Sequence, residues 1–179
     1  MHPNAQLQPP PDASPESFPD NESRLDPDDH TSLKLWVRMI GCKNLIGSTL
    51  SRRLRYEFNT TSPRFEMLAH LERYPDGLKM NELSQRLGVT GGNITALADF
   101  LEAEGLISRE PVPDDRRAIR LKLTDEGRRR FDAMARVHEQ WVISMFEGLT
   151  RAEQNALYTL LGKLKACVVH NIGTTPDNL

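Results

Sequence analysis

Apolar residues in the middle of the chain recur with the spacing of a helix and later with that of a strand. Leu83 and Leu87 are four residues apart, as on one face of a helix, and Gly88 ends that helix. From about Gly91 to Ala103 apolar residues return at spacings of three and four, and Thr90 is a suitable N-cap. This pattern predicts two consecutive helices joined by a tight turn.

A strand hairpin is predicted directly after the second helix. The short apolar run Leu106-Ile107 leads into a turn predicted over residues 111–117, and apolar residues then alternate with basic ones from Ile119 to Leu123. Alternation with a period of two is typical of a half-buried strand. Two helices followed by a hairpin with arginines at its tip form a layout that nucleic-acid-binding proteins use, the winged helix-turn-helix.

Longer amphipathic helices flank this central segment on both sides. Residues 33–58 carry two apolar stripes, and a helix buried on two sides is more than a single subunit of this size requires. Later in the chain, Thr124 is a predicted N-cap, and Thr150 with Glu153 forms a predicted capping box. A monomer would expose a continuous apolar patch on these helices, so we expect a two-fold homodimer rather than an intramolecular bundle.

The predicted fold class is mainly α with a small β-wing, in which a winged helix-turn-helix is joined to a helical dimerisation region. We expect five segments along the chain. They are a disordered acidic N-terminal arm at 1–31, a dimerisation helix at 32–60, a winged helix-turn-helix DNA-binding domain at 61–123, dimerisation helices at 124–172 and a flexible tail at 173–179.

The formal charge of −2 averages two unlike parts of the chain. Residues 1–31 hold seven acidic residues, one arginine and seven of the twelve prolines, whereas the remainder holds 22 basic and 18 acidic residues. A segment so poor in apolar residues cannot bury enough surface to offset its ordering entropy, which predicts disorder. Its simplest role is that of a solubilising leader. A sharper hypothesis is that it competes with DNA for the basic surface of the body.

Several other classes of protein are disfavoured by the composition. The chain has no apolar run of the ~18 residues that a membrane span needs and no secretory signal, so we expect a cytoplasmic protein. Cys42 and Cys167 have no metal-ligand spacing and are expected to be buried free thiols. The residues that catalysis would need are scattered, and we expect neither an enzyme nor a bound cofactor or metal.

Six short motifs follow one another in an order known from one group of proteins. They are Glu82-Leu83, Leu87-Gly88-Val89-Thr90, Leu101-Glu102, Gly105-Leu106-Ile107, Asp115-Arg116-Arg117 and Leu123-Thr124-Asp125-Glu126-Gly127. With these motifs the chain resembles, over roughly Ser32 to His170, the MarR family of bacterial transcriptional regulators. The resemblance implies a dimer with the two winged domains at opposite ends. It also implies an effector pocket between the dimer helices and the winged domain.

The candidate DNA-binding residues lie at the start of the second helix and at the tip of the hairpin. They are Thr90, Gly91, Gly92, Asn93, Thr95, Asp115, Arg116 and Arg117. Asn93 can pair with adenine and Thr95 can contact a base, whereas Thr90 has the alternative role of a simple helix cap. The resemblance implies that Arg117 enters the minor groove and that Asp115 holds it there. The alternative for these two residues is a solvated ion pair in the turn.

The start of the second helix departs from the pattern of the family. Family members often carry Arg or another large polar residue around these positions, whereas this chain has Gly91, Ala96 and Ala98. Glycine lets backbone amides approach phosphates closely, although it weakens the start of a helix. We therefore expect much of the DNA affinity to come from the wing.

A second candidate site is the effector pocket implied by the resemblance. Its candidate residues are Trp36, Ile40, Lys43, Phe58, Arg64, Met67, His70 and Leu71. Aromatic and apolar walls with one or two cations suit an aromatic carboxylate. The alternatives are core or dimer packing for Trp36, Ile40 and Leu71, and an ordinary surface or core histidine for His70. The runs Thr60–Phe65 and Val89–Asn93 resemble a branch that controls aromatic-acid degradation, whose members respond to coenzyme A thioesters of hydroxycinnamates or benzoates.

The predicted function is that of a homodimeric regulator that binds a palindromic operator in double-stranded DNA. We expect a repressor that is released by a small aromatic anion or its coenzyme A thioester. One alternative is a thiol-based redox regulator in which Cys42 is the reactive residue. The other is a winged-helix module that binds only protein, which the absence of salt-sensitive DNA affinity would favour.

Overall fold

The computed structural model describes residues 31–112 and 115–173, without the side chains of residues 115–117 and 172–173. In chain order its elements are α1 (Thr31–Phe58), α2 (Ser62–Arg73), β1 (Leu78–Lys79), α3 (Met80–Leu87), α4 (Gly91–Ala103), β2 (Ile107–Val112), β3 (Asp115–Leu123), α5 (Asp125–Met145) and α6 (Arg151–Gly173). The predicted fold class, mainly α with a small β-wing, is confirmed. The acidic arm lies outside the described residues except for Thr31, which begins α1, and so does the tail after Gly173.

The chain divides into two compact units, residues 1–46 and 47–179. The described part of the first unit is the N-terminal half of α1. The second unit holds the remainder of α1, the five other helices and the sheet. The candidate DNA-binding residues all belong to the second unit.

The core of the second unit is built from apolar side chains of α1, α2, α3, α4, α5 and the sheet. Its largest fully buried side chains are Leu54, Met67, Leu68, Leu71, Leu83, Ile94, Leu101 and Leu121. Each such side chain contributes roughly 1.5–3 kcal/mol when it is removed from water. This core holds α3, α4 and the hairpin together.

The sheet has three antiparallel strands in the order β1-β3-β2. The two-residue strand β1 was not predicted, because it forms only by pairing with β3, as Leu78 does with Leu121. The turn predicted over residues 111–117 was too long. Pro111 and Val112 belong to β2, and β3 already begins at Asp115, which pairs with Val112. Val112 is buried, so its apolar side chain extends the hairpin into the predicted turn.

The helix ends follow the local chemistry of the chain. The hydroxyl of Thr124 accepts a hydrogen bond from the Gly127 amide at 2.9 Å, and the Thr150 amide donates to the Glu153 carboxylate at 2.7 Å, so both predicted caps are confirmed. Hydrogen bonds from the Thr150 hydroxyl, also 2.7 Å away, and from the Thr150 amide lower the pKa of the Glu153 carboxyl. Gly88 ends α3 with φ of +62°, a conformation that favours glycine.

Helix α6 differs from the rest of the second unit in its exposure. Among its described side chains, all are exposed except that of Gln154, which is half-buried. Its apolar stripe is therefore open to solvent in the single chain. The stripe consists of Leu157, Leu160, Leu161, Leu164 and Val168. None of the described helices combines the length and the apolarity needed to cross a membrane.

Candidate nucleic-acid interface

Helix α4 has one buried face and one exposed end. Ile94, Ala98 and Leu101 are at most 1% exposed and anchor the helix in the core. The five residues predicted to contact DNA on this helix are all exposed. They are Thr90, Gly91, Gly92, Asn93 and Thr95. The fold thus presents these positions together, at the N-terminal end of a helix that packing holds in place.

The hydroxyl groups of Thr90 and Thr95, at this end of α4, differ in their hydrogen bonding. Thr90 occupies the N-cap position, but its side chain makes no capping hydrogen bond, so capping does not account for its hydroxyl. The hydroxyl of Thr95 donates to the Gly91 carbonyl at 3.1 Å and keeps its lone pairs for an external donor. Both side chains have polar capacity that the described fold does not use.

The two glycines at the start of α4 are not required by the fold. Neither Gly91 nor Gly92 has a positive φ, and a methyl group on either would meet no described atom within 4 Å. Gly77 is a contrasting case, because its φ is +83° and a methyl group there would lie 2.6 Å from the Leu121 carbonyl oxygen. The glycines of α4 therefore leave open space outside the protein surface.

An open groove runs between α3 and α4. Its volume is about 490 Å³, and its lining is Met80, Asn81, Ser84, Gln85, Gly91, Ile94 and Thr95. The hydroxyl of Ser84 donates to the Val89 carbonyl at 2.6 Å, which holds the turn between the two helices. The polar face of α3 was not predicted to belong to the site. The exposed polar positions between Leu83 and Leu87 were the signal that could have indicated it.

The hairpin follows α4 directly and places the three wing residues on its second strand. Asp115, Arg116 and Arg117 are the first residues of β3. Their side chains lie outside the described residues, so the predicted contact of Arg117 with DNA and its pairing with Asp115 stay predictions.

The predicted effector residues of the first unit are exposed in the single chain. Trp36 is 57% and Ile40 is 37% exposed, and Lys43 is exposed as well. In the second unit, Met67 and Leu71 are 0% and 1% exposed. Their prediction as ligand contacts is corrected here, because both side chains pack in the core and a ligand cannot reach them without displacing it.

The other predicted effector residues of the second unit are partly buried and have defined neighbours. The ring of Phe58 lies 6.1 Å from that of Trp141, centroid to centroid. The guanidinium carbon of Arg64 lies 3.0 Å from the ring centroid of Phe100 on α4, a cation–π contact. Burial lowers the pKa of His70, and the neighbouring Arg73 and Arg86 lower it further.

Similar proteins are known for the winged segment. A family model described as MarR family matches residues 58–118. The chain is 35% identical over 85 residues to YkoM of Bacillus subtilis (strain 168), an uncharacterized HTH-type transcriptional regulator; the match covers 48% of this chain and 55% of YkoM. It is 25% identical over 138 residues to PecS of Dickeya dadantii (strain 3937), an HTH-type transcriptional regulator; the match covers 74% of this chain and 83% of PecS. The chain thus spans little more than half the length of YkoM.

A solved structure also matches most of the chain. Wild-type MarR from E. coli, in its apo form, is 26% identical with a TM-score of 0.63, and the match covers 71% of this chain and 93% of that one. The winged segment is therefore similar to the MarR family, and the fold is similar to that of MarR.

Two of the MarR-family motifs meet where the wing joins α5. The hydroxyl of Thr124 donates to the Gly105 carbonyl at 2.7 Å and accepts from the Gly127 amide at 2.9 Å. A methyl group on Gly127 would lie 1.9 Å from the Leu106 carbonyl oxygen. The Gly-Leu-Ile and Leu-Thr-x-x-Gly motifs therefore contact each other at one joint. This joint fixes where α5 begins relative to the hairpin.

One prediction about the thiols is wrong for the single chain. Cys42 and Cys167 are free, as expected, but both are exposed rather than buried. The reason is that both lie on helix surfaces that the chain's own core does not cover, where neighbouring apolar residues such as Leu45 and Val168 are exposed as well. Contact with another molecule is what would cover these two thiols.

Proposed function

We propose that this protein is a DNA-binding transcriptional regulator that inserts α4 into the major groove. The observation that carries the proposal is the exposed polar N-terminal end of α4, held on a buried face beside a strand hairpin. Its relatives are named as HTH-type transcriptional regulators, which supports the same function. A helix held in this way is what a winged helix-turn-helix uses to contact base edges.

Base contacts in this proposal come from Asn93 and Thr95. The Asn93 amide donates to and accepts from an adenine edge, and the Thr95 hydroxyl contacts a neighbouring base or a thymine methyl group. Gly91 and Gly92 leave room for the duplex to approach the backbone of α4. Thr90 contributes a phosphate contact, since its hydroxyl is not engaged in capping.

The wing supplies the second set of DNA contacts. Arg116 and Arg117 carry positive charge at the start of β3, and Arg117 is the residue that enters the minor groove, oriented by Asp115. Replacing Arg117 by Ala is expected to weaken operator binding by roughly 1–3 kcal/mol, the range for one good arginine contact. Unchanged affinity in this variant would remove the wing from the mechanism.

The regulator acts as a homodimer on an inverted repeat. The exposed apolar stripe of α6 supports this part of the proposal, because a monomer in solution would leave that stripe in contact with water. A two-fold dimer presents two α4 helices, whose half-sites lie on the order of 34–36 Å apart. Binding there blocks transcription, so the regulator is a repressor.

A small aromatic anion, free or as a coenzyme A thioester, releases the repressor from DNA. The contact between Arg64 and Phe100 supports this step, because it joins α2 to the helix proposed to bind DNA. A carboxylate that pairs with the Arg64 guanidinium competes with the cation–π contact. The ligand shifts the protein between two arrangements only if it binds one of them better. In an Arg64→Leu variant, aromatic acids are expected to lose their effect on DNA binding.

The test of the proposed function is a titration of the full chain into labelled duplexes. One duplex carries the region upstream of its own gene and the other carries the same bases scrambled, each at two salt concentrations. Fluorescence anisotropy is expected to show tight binding to the first duplex alone, with affinity that falls steeply as salt rises. Equal affinity for both duplexes contradicts sequence-specific binding, and no binding at low salt favours the protein-binding alternative.

The same assay separates ligand release from redox control. Cys42 is exposed, so peroxide can reach it in the single chain. If DNA binding is unaffected by peroxide and abolished by an aromatic acid or thioester, the regulator is ligand-responsive. The reverse result would identify a thiol-based regulator.

A further inference from the structure

An arginine at the base of the wing holds two carboxylates of the recognition helix. Arg109 lies on β2, and its two terminal nitrogens contact different acids of α4: one lies 2.5 Å from an Asp99 oxygen, the other 2.9 Å from a Glu102 oxygen. Asp99 and Glu102 are three residues apart and therefore share a face of the helix. The side chain of Arg109 is 27% exposed, the least of the three.

Because of its position, this contact affects where the N-terminal end of α4 lies. The helix has 13 residues. Asn93 precedes Asp99 by six positions, which is about 9 Å along a helix axis. Because a helix is stiff, a small rotation of its second half moves the base-contacting end by a comparable amount. A guanidinium bound to two points on that half opposes both rotation and sliding of the helix against the hairpin.

The contact also changes the charge that α4 presents. Asp99 and Glu102 are the only ionisable residues of this helix, so on its own it carries two negative charges and no positive one. Like charges would repel a duplex whose phosphates approach the same helix. The guanidinium of Arg109 neutralises part of that charge and holds the two carboxylates against the hairpin.

We propose that Arg109 is a positioning residue that fixes α4 and the wing in one arrangement and thereby sets DNA sequence specificity. The inference rests on the proposed function of DNA binding. Exposed ion pairs contribute little to the stability of a fold. The effect of Arg109 therefore appears in the ratio of specific to non-specific DNA affinity and only weakly in the melting temperature.

The decisive variant removes the carboxylates and leaves the arginine in place. In Asp99→Asn/Glu102→Gln, the helix loses two negative charges, which by itself strengthens binding to any duplex. If Arg109 positions the helix, affinity for a specific duplex falls relative to a scrambled one, on the order of tenfold, comparable to one mismatched base pair. Electrostatics alone raises both affinities equally and leaves their ratio unchanged, so the two explanations predict different ratios of specific to scrambled affinity.

The measurement uses the full chain and a duplex enriched by the wild-type protein from a random pool. Anisotropy titrations give the ratio of affinities for the enriched and scrambled duplexes, and circular dichroism checks the fold. Glu110→Gln is the matched control, because Glu110 on β2 pairs with Lys122 of β3 at 2.8 Å and does not tie the wing to α4. This control is expected to keep the wild-type ratio.

A second variant covers the case in which the double substitution unfolds the protein. Arg109→Lys keeps the positive charge but cannot contact both carboxylates with separate nitrogens. The ratio of specific to scrambled affinity is therefore also expected to fall in this variant. An unchanged ratio in a folded double variant, or in Arg109→Lys, overturns the inference and leaves the proposed function intact. If the wild-type protein enriches no sequence at all, the proposed function fails and this inference fails with it.

Discussion

The apolar side chains of the winged segment, residues 62–123, are mostly buried, whereas those of helix α6 are exposed. In the winged segment the apolar side chains of α4, such as Ile94 and Leu101, are at most 1% exposed. In α6, Leu160 and Leu161 are 64% and 44% exposed, although the spacing of apolar residues is equally regular. The same periodicity thus has two outcomes within one compact unit.

The difference shows which apolar surfaces are buried by other residues of the same chain. The apolar residues of the winged segment are buried in one core together with side chains of α1 and α5, so its exposed residues are free to serve in binding. Helix α6 exposes a stripe that its own chain does not cover, and apolar surface of this kind is stabilised by burial against another molecule.

The largest effect is expected from placing charges in the α6 stripe. Leu161→Glu/Leu164→Glu should convert the proposed dimer to a monomer, because an unpaired charge in a buried interface costs about 2–5 kcal/mol. Light scattering after size-exclusion chromatography measures the mass. Asn155→Glu, an exposed position on the opposite face of α6, is the control and should stay dimeric. A dimer that survives the double substitution would mean that α6 is not the interface.

The next largest effect is expected at the joint between the wing and α5. Gly127→Ala forces a methyl group against the Leu106 carbonyl, and such overpacking costs about 1–3 kcal/mol of the free energy of unfolding. Gly162→Ala in α6 makes the same change where no described atom lies within 4 Å, so it should leave stability equal or raise it. Urea denaturation measures both. Equal losses in the two variants would contradict the contrast between the regions.

A smaller and opposite effect on stability is expected at the start of α4. Gly91→Ala/Gly92→Ala should raise the free energy of unfolding by up to about 1 kcal/mol per site, because alanine favours the helix. The same variant should bind DNA more weakly, because the methyl groups occupy space that the duplex needs. Thermal unfolding and anisotropy titration measure the two changes. Higher stability with unchanged affinity would show that the duplex does not approach these positions.

The smallest effect is expected from His138, through which α5 packs on the winged segment. Its ring stacks on Phe65 with centroids 4.7 Å apart, and burial lowers its pKa below the ordinary 6.5, against a raising effect of Glu66. The unfolded chain therefore takes up a proton more readily than the folded one. The contribution of His138 to the free energy of unfolding is therefore fully present above pH 6.5. It declines as the pH falls toward the lowered pKa.

The check is urea denaturation of the wild type and of His138→Phe at about pH 7.5 and about pH 5.5. The phenyl ring keeps the stack but cannot take up a proton, so the loss of stability at the lower pH should be smaller in the variant. A residual loss remains, because the lowered pKa of His70 acts in the same direction. Identical losses in both proteins would exclude a role for His138.

Local signals were sufficient to predict α4. Its bounds, Gly91–Ala103, match the prediction because the apolar spacing, the preceding Thr90 and the following Gly105 all lie within the segment. The caps at Thr124 and Thr150 were predictable for the same reason. Features that depend on a partner far along the chain were missed, as with β1, which exists only through its pairing with β3.

The candidate sites were predictable to unequal degrees. The exposed positions of α4 follow from its periodicity, since the buried face identifies the free one. In α2, apolar residues occur on more than one face, so periodicity did not reveal that Met67 and Leu71 pack in the core. The contacts of Arg109 were missed because an ion pair between a strand and a helix depends on how the two elements pack.

The stoichiometry of the protein on its enriched duplex directly tests whether it binds DNA as a homodimer. Native mass spectrometry or sedimentation of the complex, with one inverted repeat per duplex, counts the chains bound. A homodimer on an inverted repeat binds as two chains, and we expect binding to be lost when the spacing of the half-sites is changed by half a helical turn. One chain per duplex with full specificity, or binding insensitive to the spacing, would contradict a dimer that joins through α6 and binds DNA through two copies of α4.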